Sequence, residues 1–273
     1  MGIIQLLRPL NVLLGITSVI ISYLILKSSE SVTTLVQGCF TVAFLAGAAN
    51  ALNDYCDYQS DTINHPDRPL PLNLIPKQAA LLISILLFIT GNFIAFFINK
   101  NTFIISAGIA TPVMIAYNIW LKGTPLLGNI VVSTILGLAF IFSGACFNQM
   151  LGLTIPALLA FGFSVTREFV KDIADIEGDK NENIKTFPVI FGIKNSLIVV
   201  KHLIVLTGIG TLLPYWLDIY GKNYLYTVIL GVEIPLLYSL FSLMKFPSIL
   251  TCKSISHLLK ICVIFGLLAI YLG

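Results

Sequence analysis

LVQGCFTVAFLAGAANALNDYCDYQSD, residues 35–61, decides what kind of protein this is. From Leu35 to Asn53 there is no charged residue, and then Asp54, Asp57 and Asp61 follow within one short stretch. An uncharged apolar run of about 20 residues is what a helix needs to cross the hydrocarbon of a bilayer. At about 100° per residue, that helix carries Asn50, Asn53, Asp54, Asp57 and Asp61 within an arc of roughly 100°. The stretch therefore reads as a membrane helix with a one-sided row of acids at its end. The pattern recurs in REFVKDIADIEGD, residues 167–179, again closing an apolar run. There Glu168, Asp172, Asp175 and Asp179 fall within about 60°, while Glu177 points about 180° away from Asp175 and Asp179.

Composition supports a membrane setting. Of 273 residues, 57% are hydrophobic and only 11% charged, and the mean hydropathy is +0.93. Soluble chains carry roughly a quarter charged residues, so a soluble globular domain is excluded. The five cysteines (39, 56, 146, 252, 262) show no CxxC spacing, and the three histidines (65, 202, 257) suit neither zinc nor haem. Nothing basic or aromatic is patterned for nucleic acid, and no obligate protein partner is indicated.

Apolar runs fall at about 10–26, 35–56, 78–98, 102–121, 126–147, 150–171, 196–217, 224–244 and 256–272. These are nine expected spans, the first and last short, in an all-α polytopic membrane protein. The first has no convincing cleavage site and is read as a retained helix. Pro112, Pro156, Pro214 and Pro235 lie within spans and are tolerated there because neighbours re-satisfy the backbone. Thirteen of the sixteen basic residues fall on one side and only Lys27, Lys100 and Lys222 on the other. That asymmetry puts the N-terminus and both acid rows on the cytoplasmic face of the cell membrane. Ten of the thirteen acids lie between Asp54 and Asp67 or between Glu168 and Glu182. Two such blocks hint at a single domain, 1–273, built of four-helix halves (about 1–125 and 126–244) plus a final helix.

Carboxylates near the hydrocarbon boundary cost a few kcal/mol unless paired or wetted. A solvated loop has no reason to keep its acids in register with a helix face, twice. Hard divalent cations answer both points: Mg²⁺ takes carboxylate, carbonyl and water oxygens and completes its shell with substrate phosphates. Asn53, Asp54, Asp57, Asp61, Glu168, Asp172, Asp175 and Asp179 are the candidate ligands. Beside them stand Arg68, Arg167 and Lys171, with Lys122 and Lys185 close in sequence. Acids with metal plus Arg and Lys are a means of holding a diphosphate. Lys77, Lys194, Lys245 and Lys253 read as interfacial anchors. Glu233 and His202 lie in apolar spans apart from the acid rows; Glu233 reads equally as functional or as a partner for backbone freed by Pro235.

The paired signature Asn53-Asp54-x-x-Asp57-x-x-x-Asp61 and Asp172-x-x-Asp175-x-x-x-Asp179 resembles the UbiA family of intramembrane prenyltransferases, over essentially the whole chain. Arg8-Pro9-x-Asn11, Asn64-x-Pro66-x-Arg68-Pro69-Leu70-Pro71, Tyr117-x-x-x-x-Lys122 and Gly128-Asn129 are further matches. Leu72-Asn73-Leu74-Ile75 departs from the family, where many members carry a Gly and a Ser. Lys171-Asp172-Ile173-x-Asp175-Ile176-Glu177-Gly178-Asp179 is similar to the archaeal ether-lipid branch.

The resemblance implies about nine helices around a central cavity opening to the cytoplasm, with Mg²⁺ as cofactor. It implies transfer of a prenyl group, geranylgeranyl in that branch, from its diphosphate to a lipid acceptor such as geranylgeranylglyceryl phosphate. Asp57, Asp61, Asp175 and Asp179 would be catalytic. Arg8, Asn11, Arg68, Tyr117, Lys122, Asn129, Arg167, Lys171 and Lys185 would bind substrates, with Arg8, Asn11, Lys122 and Lys185 set aside for the acceptor's phosphate. An aromatic acceptor is the alternative within the family. A cation transporter would need ionisable groups through the membrane depth, and a CDP-alcohol phosphotransferase needs Asp-Gly and Ala-Arg elements that are absent here.

Overall fold

The computed structural model describes residues 2–181 and 184–273, and only the backbone of Ser60, Ile63 and Asn64. Glu182, which closes the second acidic block, lies outside the described residues, as does the side chain of Asn64. Among the described residues all regular structure is helical. Eight helices among the described residues are long and apolar enough to cross a bilayer: Val32–Cys56, Lys77–Ile98, Lys100–Leu121, Leu127–Cys146, Met150–Ala174, Phe187–Trp216, Lys222–Lys245 and Ile249–Leu272. Pro9–Ile25 is a shorter apolar helix of 17 residues. It starts sharply, because Arg8 takes φ 52° and Pro9 supplies the preset φ and missing donor suited to a first helical position.

Two ends differ from the hydropathy reading. The final helix is not short but 24 residues long, Ile249–Leu272. Ser248 caps it by accepting the Thr251 N–H at 3.2 Å. Cys252, Ile255, Leu259 and Cys262 then keep a helical apolar stripe beneath exposed Lys253, Ser254 and His257. Hydropathy averages those polar residues in and misses the stripe. The Phe187–Trp216 helix likewise begins nine residues earlier than the apolar run. Gly192, at φ 79° and ψ 161°, breaks it into two pieces, a conformation that a side chain would oppose.

The four intraspan prolines share one device: each follows a glycine by four residues (Gly108, Gly152, Gly210, Gly231). A proline ring collides with the carbonyl four residues back. Glycine there lets the backbone move aside, and at Gly108 and Gly231 the helix widens into the π-helical turns Ile104–Ala110 and Ile229–Glu233.

The chain forms two compact units. One holds the residues up to Lys122 together with Leu138–Thr154. In it Val32–Cys56 packs along Lys77–Ile98 and Pro9–Ile25. Lipid is as apolar as these side chains, so close contact between small residues drives such packing. Gly91 seats against Leu45, and Gly38 against Val19 and Cys146, where an added Cβ would lie 3.2 and 3.3 Å from its neighbours. Ser84 Oγ donates to the Ala48 carbonyl at 2.8 Å in the same seam. The other unit holds Gly123–Gly137 and Ile155–Gly273. There Gly137 lies so close to the Ala157 carbonyl that a Cβ would come within 2.8 Å of it. Lys222–Lys245 packs against Ile249–Leu272 and Phe187–Trp216, burying Leu236, Leu243, Ile255 and Leu259. Outward faces are apolar in both units, as at Phe93, Phe96, Leu230 and Phe241, which are more than half exposed. A surface of that kind belongs in lipid.

Candidate functional site

The first acid row spans a break. Val32–Cys56 ends at Asp57 (φ −86°, ψ 10°), and Tyr58–Asn64 continues beyond it. Backbone bonds carry the helical register across: Asp57 N–H to Asn53 O and Asp61 N–H to Asp57 O, both 2.8 Å. Asp54 and Asp61 are buried and Asp57 half-buried. Each meets a cation of its own unit. Arg8 Nη2 donates to Asp54 Oδ1 at 2.5 Å and to Asn53 Oδ1 at 2.9 Å. Arg68 Nη1 donates to Asp61 Oδ1 at 2.5 Å and stands 3.8 Å from Asp54 Oδ1. Lys122 is paired with Asp57. Asn53 also donates to Asn118 Oδ1 at 3.2 Å, and Asn50 donates to the Leu7 carbonyl at 2.9 Å.

Arg8 and Lys122 therefore join the acid row instead of standing apart from it. The loop and the π-helical turn that precede them explain this. Left-handed Arg8 turns its side chain back before the Pro9 helix begins, and Tyr117–Leu121 delivers Lys122, whose N–H bonds the Tyr117 carbonyl at 2.9 Å. Asn11, one turn beyond Arg8, is exposed and makes no hydrogen bond to the row among the described residues. The Leu72–Ile75 stretch turns at Asn73, φ 54°, a conformation asparagine tolerates better than most residues.

The second row repeats the break with different partners. Met150–Ala174 ends at Asp175, and Ile176–Asn181 follows. Asp175 N–H bonds Lys171 O at 2.9 Å, and Asp179 N–H bonds Asp175 O at 3.1 Å. Buried Asn129 donates to Asp172 Oδ2 at 2.7 Å. Thr186 Oγ1 donates to Asp179 Oδ2 at 3.0 Å, and Lys171 Nζ lies 3.3 Å from Asp175. Glu168 accepts from its neighbour Arg167 at 2.5 Å. Glu177 and Lys185 are exposed. Sequence reasoning missed Asn118 and Thr186. An asparagine inside the Tyr117-x-x-x-x-Lys122 segment was a usable signal for the first; nothing in the sequence marked the second.

Both rows present hard oxygens, the donor type Mg²⁺ prefers. In the first row Asp61 Oδ2 is buried and has no hydrogen-bond partner. A buried carboxylate oxygen left open is costly in the protein alone and suits a cation. Among the described residues no three His, Cys, Asp or Glu side chains are gathered closely enough to enclose a metal by themselves. Bound Mg²⁺ would therefore draw remaining ligands from water and substrate oxygens.

The family model described as the UbiA prenyltransferase family matches residues 14–247. The digeranylgeranylglyceryl phosphate synthase of Methanosphaera stadtmanae is 32% identical over 270 residues, 99% of this chain and 98% of its own length. That of Thermococcus kodakarensis is 35% identical over 268 residues, covering 97% and 95%. A solved digeranylgeranylglyceryl phosphate synthase structure is similar with a TM-score of 0.79 at 32% identity, covering 100% of this chain and 97% of the other. A UbiA homologue from Archaeoglobus fulgidus, bound to GPP and Mg²⁺, shares the fold with a TM-score of 0.69 at 18% identity over 99% of both chains.

Proposed function

The chain belongs to the UbiA prenyltransferase family, and from that premise we propose that it makes the second ether bond of an archaeal lipid. The donor is geranylgeranyl diphosphate and the acceptor is the free hydroxyl of geranylgeranylglyceryl phosphate. Its nearly full-length likeness, above 30% identity, to relatives named for that reaction carries the proposal. In the reaction the donor's C1–O bond breaks, the glycerol oxygen bonds to C1, and the hydroxyl proton leaves with the diphosphate.

Each part of the chain has a task in this reading. Asn53, Asp54, Asp57 and Asp61 in the first row, and Asp172, Asp175 and Asp179 in the second, would hold Mg²⁺. When bound, Mg²⁺ neutralises diphosphate charge and makes it a better leaving group. Arg68, Lys122 and Lys171, now paired to carboxylates, bind phosphate oxygens of the substrates. Arg8 orients Asn53 and Asp54. Glu168, paired with Arg167, stands at the start of the second row as a further candidate ligand. Asn129 and Thr186 orient Asp172 and Asp179. Apolar helix faces keep the allylic cation from water.

We place the rows on the cytoplasmic side on the strength of the thirteen-to-three basic asymmetry. The duplicated-half organisation, about 1–125 and 126–244 plus a last helix, belongs to the same proposal. The test is incubation of purified protein with Mg²⁺, labelled geranylgeranyl diphosphate, and either geranylgeranylglyceryl phosphate or hydroxybenzoate and homogentisate. Product from the glyceryl phosphate alone is expected; efficient prenylation of the aromatic acceptors alone would overturn the reading.

A further inference from the structure

Lys77 is placed where an ordinary helix would not want it. It is the first residue of Lys77–Ile98, after Pro76, which makes no side-chain cap. The positive end of the helix dipole opposes a cation there. What it gains is two aromatic faces: its Nζ lies 4.7 Å from the Tyr55 ring centroid and 5.4 Å from that of Tyr58. Both distances are within the range of cation–π attraction.

Those tyrosines bracket Asp57, the residue at which the helix breaks. They are also rooted in different places. Tyr55 packs at the edge of the cluster formed by Leu45, Ala48, Leu52 and Phe88, whereas Tyr58 packs at the edge of the one formed by Leu6, Ala51, Leu70, Ile75 and Ala80. One ammonium thus bridges a tyrosine before the break and a tyrosine after it, each seated on a different apolar cluster. Arg68, which reaches both Asp54 and Asp61, ties the acids of the same two segments. The second row has no such need, because the residues at the corresponding positions, Ile173 and Ile176, are buried in the core.

We propose that Lys77 is a positioning residue: its ammonium, held over Tyr55 and Tyr58, sets the angle of the break at Asp57 and thereby places Asp61 relative to Asp54. The consequence for catalysis rests on the prenyltransferase reading; the clamp itself does not. Lys77→Met keeps the stem and removes the charge, Lys77→Arg keeps the cation, and Tyr55→Leu removes a ring.

Hydrogen exchange followed by mass spectrometry reads the geometry directly. Lys77→Met and Tyr55→Leu should speed exchange of residues 57–64 by about ten-fold, with Lys77–Ile98 unchanged and Lys77→Arg close to the parent. In turnover, Lys77→Met should raise the Mg²⁺ concentration for half-activation about five-fold with little change in kcat, and Lys77→Arg should restore it. Unchanged exchange in 57–64, equal loosening across Val32–Cys56 and Lys77–Ile98, or failure of Lys77→Arg to rescue would each overturn the proposal. Local loosening in a protein that transfers no prenyl group would leave the clamp standing and sink the prenyltransferase reading instead.

Discussion

In the first acid row Asp54 and Asp57 meet Arg8 and Lys122, cations 46 and 65 residues away in the chain, and Asp61 meets Arg68. In the second, Asp172 meets the amide of Asn129, Asp179 the hydroxyl of Thr186, and Asp175 a lysine one turn back. Spacing and helix break are shared; the means of keeping a carboxylate near lipid are not. The first row is neutralised by charge brought from distant segments. The second combines neutral donors on Asp172 and Asp179 with pairs to cations on its own helix, and its break is seated on Ile173 and Ile176. Ion pairs are strong only while both partners remain, since removing one leaves a charge poorly solvated. Neutral hydrogen bonds lose less when one partner goes. The rows should therefore fail differently under substitution, though the proposed reaction draws on both.

The largest effect is the one expected to be equal. Asp57→Ala and Asp175→Ala should each lower kcat/KM by about 1,000-fold or more, measured at saturating Mg²⁺ in protein that still elutes as a folded species. Near-normal turnover in either variant would break the equivalence of the rows. Next comes Arg68→Ala, which strands Asp61 and leaves Asp54 to Arg8 alone. It should lower kcat/KM about 100-fold and also lower the thermal unfolding midpoint in detergent. A stability loss without an activity loss would make Arg68 a structural partner only.

Lys122→Ala sharpens the contrast in another way. Because Lys122 sits on Asp57, the donor's KM should rise about ten-fold and the acceptor's much less. The reverse split would return Lys122 to a separate acceptor-phosphate site, as its sequence position first suggested. Smallest is Thr186→Val, which removes one neutral donor from Asp179 and should cost about 1 kcal/mol, roughly a five-fold fall in kcat/KM. A loss as large as that of Arg68→Ala would erase the distinction between a carboxylate held by an ion pair and one held by a neutral donor.

Much of the site was open to reading because helices are periodic. Four acids spaced to fall on one face at the end of an uncharged run are visible in one dimension. The break at Asp57 and at Asp175 leaves that periodicity intact, since the i to i−4 bonds run through both. Partnerships across the fold were not visible. Arg8 looked available for an acceptor phosphate, yet its left-handed backbone turns it onto Asp54. Lys77 looked like an interfacial anchor, yet it lies over two tyrosines. Glu168 fitted the arc of the second row, yet the residue beside it supplies its cation.

By itself, the sequence determined the membrane setting, the helical class, the family and the two acid rows. Each of these depends on composition or on residues within a few turns of one another, where helix geometry alone relates number to position. Tertiary structure decided which cation meets which carboxylate, where Thr186 and Asn118 enter, and what holds the bend at Asp57. Those contacts join residues as many as 65 positions apart, and no period in the chain encodes how two helices pass each other. That is fixed by which glycines and alanines let the backbones approach, and hence by packing in three dimensions.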